Sequence, residues 1–79
     1  MKCVYILQSL VEPERYYVGI TDDREKRLES HNAGRVPYTS KYKPWRLNTY
    51  IAFSDEARAF AFEKYLKSQS GRAFAKKRL

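Results

Sequence analysis

The hydrophobic pattern along the chain switches between the two-residue period of strands and the 3.6-residue period of helices, and each switch marks an element. Residues 2–8 (KCVYILQ) are β-branched and aromatic throughout and read as a strand. Residues 9–15 (SLVEPER), with Pro13 and two glutamates, make a hairpin connection, and residues 16–21 (YYVGIT) are the returning antiparallel strand. Alternation puts Val4 and Ile6 on one face of the first strand, and Val18 and Ile20 on one face of the second. Tyr5 and Tyr17 point to the opposite side of their strands. In the expected register the two phenols share a face.

A helix follows over about residues 23–33. Asp22 with Glu25 three residues on reads as a capping box. Asn32-Ala33-Gly34 supplies the stop, with Gly34 suited to a left-handed position. Leu28 is the one large apolar residue of this helix, so packing does not account for its polar side chains. Residues 34–44 (GRVPYTSKYKP) carry two prolines, two tyrosines and no period; they read as a loop, of a length that is often functional. Residues 45–53 (WRLNTYIAF) alternate as a third strand, with Trp45, Leu47, Thr49, Ile51 and Phe53 on one face. Ser54 or Asp55 caps a helix over 55–68, whose stripe of Ala59, Phe62 and Leu66 is widened by Phe60 and Tyr65. After Ser70-Gly71 a short helical tail runs to Leu79, with Phe74 as its anchor.

These elements define an α+β class: a small three-stranded antiparallel sheet flanked by helices, in the order β-β-α-β-α-α, over a single domain of residues 1–79. Such a chain buries only about 60% of its unfolded surface, so its core is small. The lone Cys3 cannot form an internal disulfide, no Cys/His cluster suggests zinc, and its apolar surroundings make it a core residue. The first ten residues are too strand-like for a leader and no 18-residue apolar run exists, so the expected location is cytoplasmic, away from membranes.

Charge changes the picture. The net formal charge is +7, and no Asp or Glu occurs between Glu29 and Asp55, a gap that holds Arg35, Lys41, Lys43 and Arg46. Arg72, Lys76, Lys77 and Arg78 form a second acid-free cluster. Such clustering is the footprint of a phosphate-binding surface, although a solvated face has the same composition. Between Tyr38 and Arg46, cations alternate with aromatics, which suits phosphate contacts with stacking on an unpaired base. For Trp45 a core role is favoured.

Five further positions, Tyr5, Tyr17, Arg27, His31 and Glu63, carry candidate chemistry. Arg27 and His31 stand one helical turn apart on one face: a planar cation that matches phosphate, and an imidazole able to donate or relay a proton. Glu63 borders the apolar stripe of its helix, where a carboxylate must be paired with Lys or Arg, or bound to a cation. A lone carboxylate with waters and substrate phosphates is how Mg²⁺ is usually held. A strand tyrosine is ordinarily a half-buried pleat residue, but a phenol beside a cation can also position or deprotonate water.

Cys3-Val4-Tyr5, followed twelve residues after Tyr5 by Tyr17-Val18-Gly19, resembles the paired signature of the GIY-YIG nuclease superfamily. Thr21-Asp22-Asp23, then Arg27, Leu28, His31 and Asn32, are similar to that family's helix, and Pro44-Trp45-Arg46-Leu47 and Phe62-Glu63-Lys64-Tyr65-Leu66-Lys67 extend the likeness. Cys3 stands where glycine is usual, and Val4 and Val18 where isoleucine is. The likeness extends to small stand-alone bacterial excinuclease-like proteins and to the nuclease domain of Slx1-type structure-specific endonucleases. It implies hydrolysis of a DNA phosphodiester with one divalent metal, Mg²⁺ or Mn²⁺, bound by Glu63. Arg27 would stabilise the charged transition state, Tyr5 and Tyr17 would position or activate water, and His31 would assist. Gly19 is the structural motif residue.

The expected function is therefore a metal-dependent endonuclease, structure-selective and acting in DNA repair or recombination. DNA is the expected partner, together with a targeting protein that would supply specificity or self-association that would bury more surface. The alternative is a non-catalytic nucleic-acid-binding module using the same basic face through Arg35, Lys41, Lys43 and Arg46. Glu63 discriminates the two, because a pure binder gains nothing from a carboxylate facing a phosphate.

Overall fold

The computed structural model describes residues 1–79. Three antiparallel strands, β1 (Lys2–Ser9), β2 (Tyr16–Thr21) and β3 (Trp45–Phe53), form one sheet in the order β2-β1-β3. The central strand explains its own sequence. With a neighbour on each edge and helices on each face, β1 is buried from Cys3 to Leu7, so its apolar run is continuous. Val4 pairs with Ile20 and Tyr5 with Gly19, which puts Val18 and Ile20 on the face of Val4 and Ile6 as expected.

Helix α1 (Arg24–Asn32) covers one face through Leu28, which packs against Tyr5, Leu7 and Trp45. Helices α3 (Glu56–Leu66) and α4 (Gln69–Arg78) cover the other, where Ala59 and Leu66 close on Val4 and Ile6, and Ala75 packs at the margin. The sheet thus separates two small cores. None of the helices is long and apolar enough to cross a membrane.

Several details differ from the pattern. The N-cap of α1 is Asp23, which accepts from the Lys26 amide at 3.1 Å, while Asp22 is drawn off to the Lys2 ammonium at 3.0 Å. The supposed loop after α1 contains a one-turn helix, α2 (Pro37–Ser40), with Pro37 in the first turn, where a missing N–H costs nothing. Gly34 does adopt a positive φ of 75°. The faces of β3 are split. Ile6 pairs with Thr49 but Leu7 pairs with Leu47, so Asn48 is an extra residue in a bulge. An added residue inverts the alternation, sending Trp45 and Leu47 to the α1 face while Phe53 stays on the α3 face.

Helix α3 is capped by Asp55 and ends at Leu66, and Phe60 does not widen its stripe: it is exposed, beneath the Lys2 ammonium. Helix α4 starts earlier than expected because Ser68 caps it by accepting from the Gly71 amide at 3.1 Å. Gly71 is a contact residue and not a break, since any Cβ there would overlap the Tyr65 backbone. Phe74 meets Phe62 edge-on but remains 38% exposed, so the buried anchor of α4 is Gly71, with the half-buried Ala75 packing beside it.

Candidate active site

On the α1 face, β1 and β2 present Tyr5 and Tyr17 with ring centroids 6.3 Å apart. The phenol of Tyr5 lies across its cross-strand partner Gly19, and the absence of a side chain there makes the space it occupies. Helix α1 runs above, and its i, i+4 spacing brings both Arg27 and His31 down onto Tyr5. Arg27 Nε donates to Tyr5 Oη at 3.2 Å, and His31 Nε2 lies 3.0 Å from the same oxygen. Tyr17 stacks at a tilt on His31 with centroids 4.9 Å apart. Three of the expected residues, Tyr5, Arg27 and His31, therefore meet at one phenolic oxygen, and Tyr17 packs on the His31 ring beside them.

Depth divides them. Tyr5 is 2% exposed and His31 wholly buried, whereas Arg27 and Tyr17 are only half-buried and form the rim. Burial, reinforced by the Arg27 charge, lowers the His31 pKa from 6.5 to about 4, so the ring is neutral at pH 7. Burial also raises the Tyr5 pKa above its usual 10, outweighing the hydrogen bond and charge of Arg27 that favour phenolate. Arg27 is held firmly cationic, first by its bond to Tyr5 and also by Tyr17.

Glu63 stands apart on α3. Its side chain is 16% exposed and its carboxylate is paired with Lys67 Nζ at 2.5 Å, one turn on. Its negative charge nonetheless reaches Tyr5, where it adds to the upward shift of the phenol. No cluster of three or more His, Cys, Asp or Glu side chains exists, so a cation at Glu63 would draw its other ligands from water and substrate oxygens, the usual habit of Mg²⁺. The residues fit that arrangement, provided the exposed Lys67 ammonium swings aside.

The basic positions are exposed and outside any ion pair: Arg35, Lys41 and Lys43 stand in solvent, and Arg46 is bonded to Gln8 Oε1 at 2.7 and 3.1 Å. Two residues escaped the pattern. Thr39, 1% exposed, places Oγ1 2.6 Å from His31 Nδ1. Asn32 clamps the backbone of Trp45, accepting from its N–H at 2.5 Å and donating to its carbonyl at 2.9 Å. Trp45 is a core residue as expected, and its Nε1 donates to the Thr39 carbonyl at 2.9 Å. No sequence signal points to Thr39: Pro37 can mark the start of a helical turn, but not which side of that turn faces inward.

Comparison with known proteins identifies the family. The family model described as the GIY-YIG catalytic domain matches residues 1–78. A UPF0213 protein of Lacticaseibacillus paracasei is 36% identical over 70 residues, covering 87% of this chain and 79% of that protein. A structure-specific endonuclease subunit SLX1 homolog of Giardia intestinalis is 36% identical over 62 residues, covering 73% of this chain. The structure-specific endonuclease subunit slx1 of Talaromyces marneffei is 36% identical over 67 residues, covering 77% of this chain. The chain spans only 17% of the length of each of these last two relatives.

Proposed function

The chain belongs to the GIY-YIG catalytic domain family, and from that premise we propose that residues 1–79 act as one divalent-metal-dependent endonuclease unit hydrolysing DNA phosphodiester bonds. The observation that carries this reading is the convergence of Arg27, His31 and Tyr5 on a single oxygen beneath Tyr17. A buried neutral imidazole bonded to a phenol supplies a path for proton transfer, which phosphate binding alone does not require.

Arg27, at the rim and permanently charged, offers N–H groups to a phosphate and offsets charge that grows on its oxygens as the attacking bond forms. Tyr17, beside it, positions the water. Tyr5 carries its proton at neutral pH, so it can take one from the attacking water only as it hands its own to His31 Nε2, 3.0 Å away. His31 is a weak acceptor in the free protein, first because it is buried and second because of the Arg27 charge. A bound phosphodiester offsets the second of these and returns part of the ring's basicity. In the balanced step, the water oxygen bonds to phosphorus, the P–O bond to one sugar breaks, the water proton passes through Tyr5 to His31, and the departing oxygen takes a proton from solvent. Glu63 would hold Mg²⁺ or Mn²⁺, which when bound supplies Lewis-acid stabilisation of the same developing charge.

Arg35, Lys41, Lys43 and Arg46 supply sequence-independent grip on the phosphate backbone. The relatives described as structure-specific endonuclease subunits support a structure-selective substrate and a partner subunit. The deciding experiment is cleavage of labelled duplex, flap and four-way-junction DNA with Mg²⁺, Mn²⁺ or EDTA, with Glu63→Ala and Arg27→Ala alongside and gel shifts on the same substrates. Metal-dependent cutting lost in both variants is the expected result. Binding without cutting, insensitive to Glu63→Ala, would instead make the domain a nucleic-acid-binding module.

A further inference from the structure

The hydrogen bonds around His31 run in one direction. Arg27 can only donate, and its Nε–H is directed at Tyr5 Oη, 3.2 Å away. The hydroxyl proton of Tyr5, buried with its ring, then needs an acceptor, and His31 Nε2 at 3.0 Å is the one within reach. A bare Nε2 in a neutral ring places the proton on Nδ1, which donates to Thr39 Oγ1 at 2.6 Å. Thr39 passes its own hydroxyl proton to the Val36 carbonyl at 3.3 Å, which can only accept. The chain begins at an obligate donor and ends at an obligate acceptor, and every proton along it has an acceptor. The reversed ring, with Nε2–H donating to Tyr5, would give that oxygen two donors and leave the phenolic proton unpartnered.

We propose that Thr39 is a positioning residue whose hydroxyl holds His31 in the Nδ1–H tautomer, so that Nε2 is the proton acceptor facing Tyr5. The groups facing the ring are Tyr5, Tyr17, Arg27 and Thr39, and of these Thr39 alone meets Nδ1. The placement of Thr39 is rigid for its own reasons. Trp45 Nε1 holds its carbonyl, and Asn32, next to His31 on α1, holds the Trp45 backbone. A closed loop of contacts thus joins His31, Asn32, Trp45 and Thr39. The short helix α2 acts as a bracket for one hydroxyl.

The kinetic consequence rests on the nuclease reading, but the tautomer does not. His31 is the only histidine, so the ¹⁵N-labelled protein shows one pair of imidazole nitrogens, and a protonated ring nitrogen resonates far from a bare one. Thr39→Val, Thr39→Ala and Thr39→Ser would be compared with the wild type at pH 7, with thermal melts to confirm folding. The expected spectra show protonated Nδ1 in the wild type and in Thr39→Ser, and population of the Nε2–H tautomer in Thr39→Val and Thr39→Ala. Cleavage should follow the tautomer: kcat falls about 10- to 100-fold in Thr39→Val, as for second partners of ligating histidines, with KM unchanged and Ser restoring the rate. Protonated Nε2 in the wild type overturns the proposal, as does a Thr39→Val protein that keeps both Nδ1–H and its kcat. If the wild type cuts no DNA, the nuclease reading fails while the nitrogen shifts still decide the role of Thr39.

Discussion

The Tyr5 phenol occupies the space that a side chain at Gly19 would fill: a Cβ built there meets the ring at Cε1 within 2.9 Å and meets Cζ and Oη closer still. Because the two residues are cross-strand partners, the conflict cannot be relieved by sliding either strand without inverting the faces of the sheet. Gly19→Ala should therefore push Tyr5 off Arg27 and His31, costing about 1–3 kcal/mol in urea unfolding and abolishing cleavage. In the double variant Gly19→Ala/Tyr5→Ala the two losses of stability should not add, since the clash is gone, while cleavage stays absent. Fully additive losses would mean that the ring and residue 19 do not compete for space.

Arg27→Lys keeps the charge at the rim but removes the planar fork and the Nε–H that meets Tyr5. Cleavage should fall by about two to three orders of magnitude, by analogy with deleting a transition-state donor. Gel-shift affinity should change far less, because exposed cations elsewhere carry the binding. Equal losses in affinity and rate would reduce Arg27 to one more phosphate contact.

His31 couples the fold to pH. Its pKa is near 4 when folded against an ordinary 6.5, so between those values the unfolded chain holds a proton that the folded ring does not. The contribution is complete above pH 6.5, is lost progressively as pH falls, and is gone below about 4. Its size is on the order of 2–3 kcal/mol. Urea midpoints measured from pH 7 to 4.5 should decline in the wild type, with a shallower decline in His31→Gln. Identical slopes would place the acid sensitivity elsewhere.

Lys67 holds the carboxylate that the metal would need. An i, i+4 helix pair with its lysine in solvent is worth roughly 0.3–0.5 kcal/mol, so Lys67→Met should fold normally and lower the Mg²⁺ concentration for half-maximal cleavage by about twofold. Glu63→Gln should abolish metal-stimulated cutting with DNA binding intact. An unchanged or higher metal requirement in Lys67→Met would show that the ammonium does not compete at that site.

Local chemistry made most of the architecture legible. Strand parity placed Tyr5 and Tyr17 on a common face, a four-residue spacing put Arg27 over His31, and an apolar margin kept Glu63 from open water. Each of these depends only on neighbours within a few residues, where period and propensity rule. The misreadings were those in which a distant group won. Asp22 was taken from the helix cap by Lys2, Asn48 was bulged out so that Trp45 could turn to the α1 face, and Gly71 was fitted against Tyr65 instead of ending a helix. Thr39 was invisible for the same reason, because nothing within its own turn refers to His31, eight residues away.

From sequence alone, then, come the order of the three strands and three longer helices, the residues shared with the GIY-YIG family and the side of the sheet on which the two tyrosines stand. Tertiary structure decided which of those residues are buried, that Arg27 and His31 close on one phenolic oxygen, and that Glu63 begins in a bond to Lys67. The reason is physical. Secondary structure and facing follow from short-range sterics and periodicity, whereas protonation state and hydrogen-bond direction depend on desolvation and on partners brought together only when helix and sheet pack.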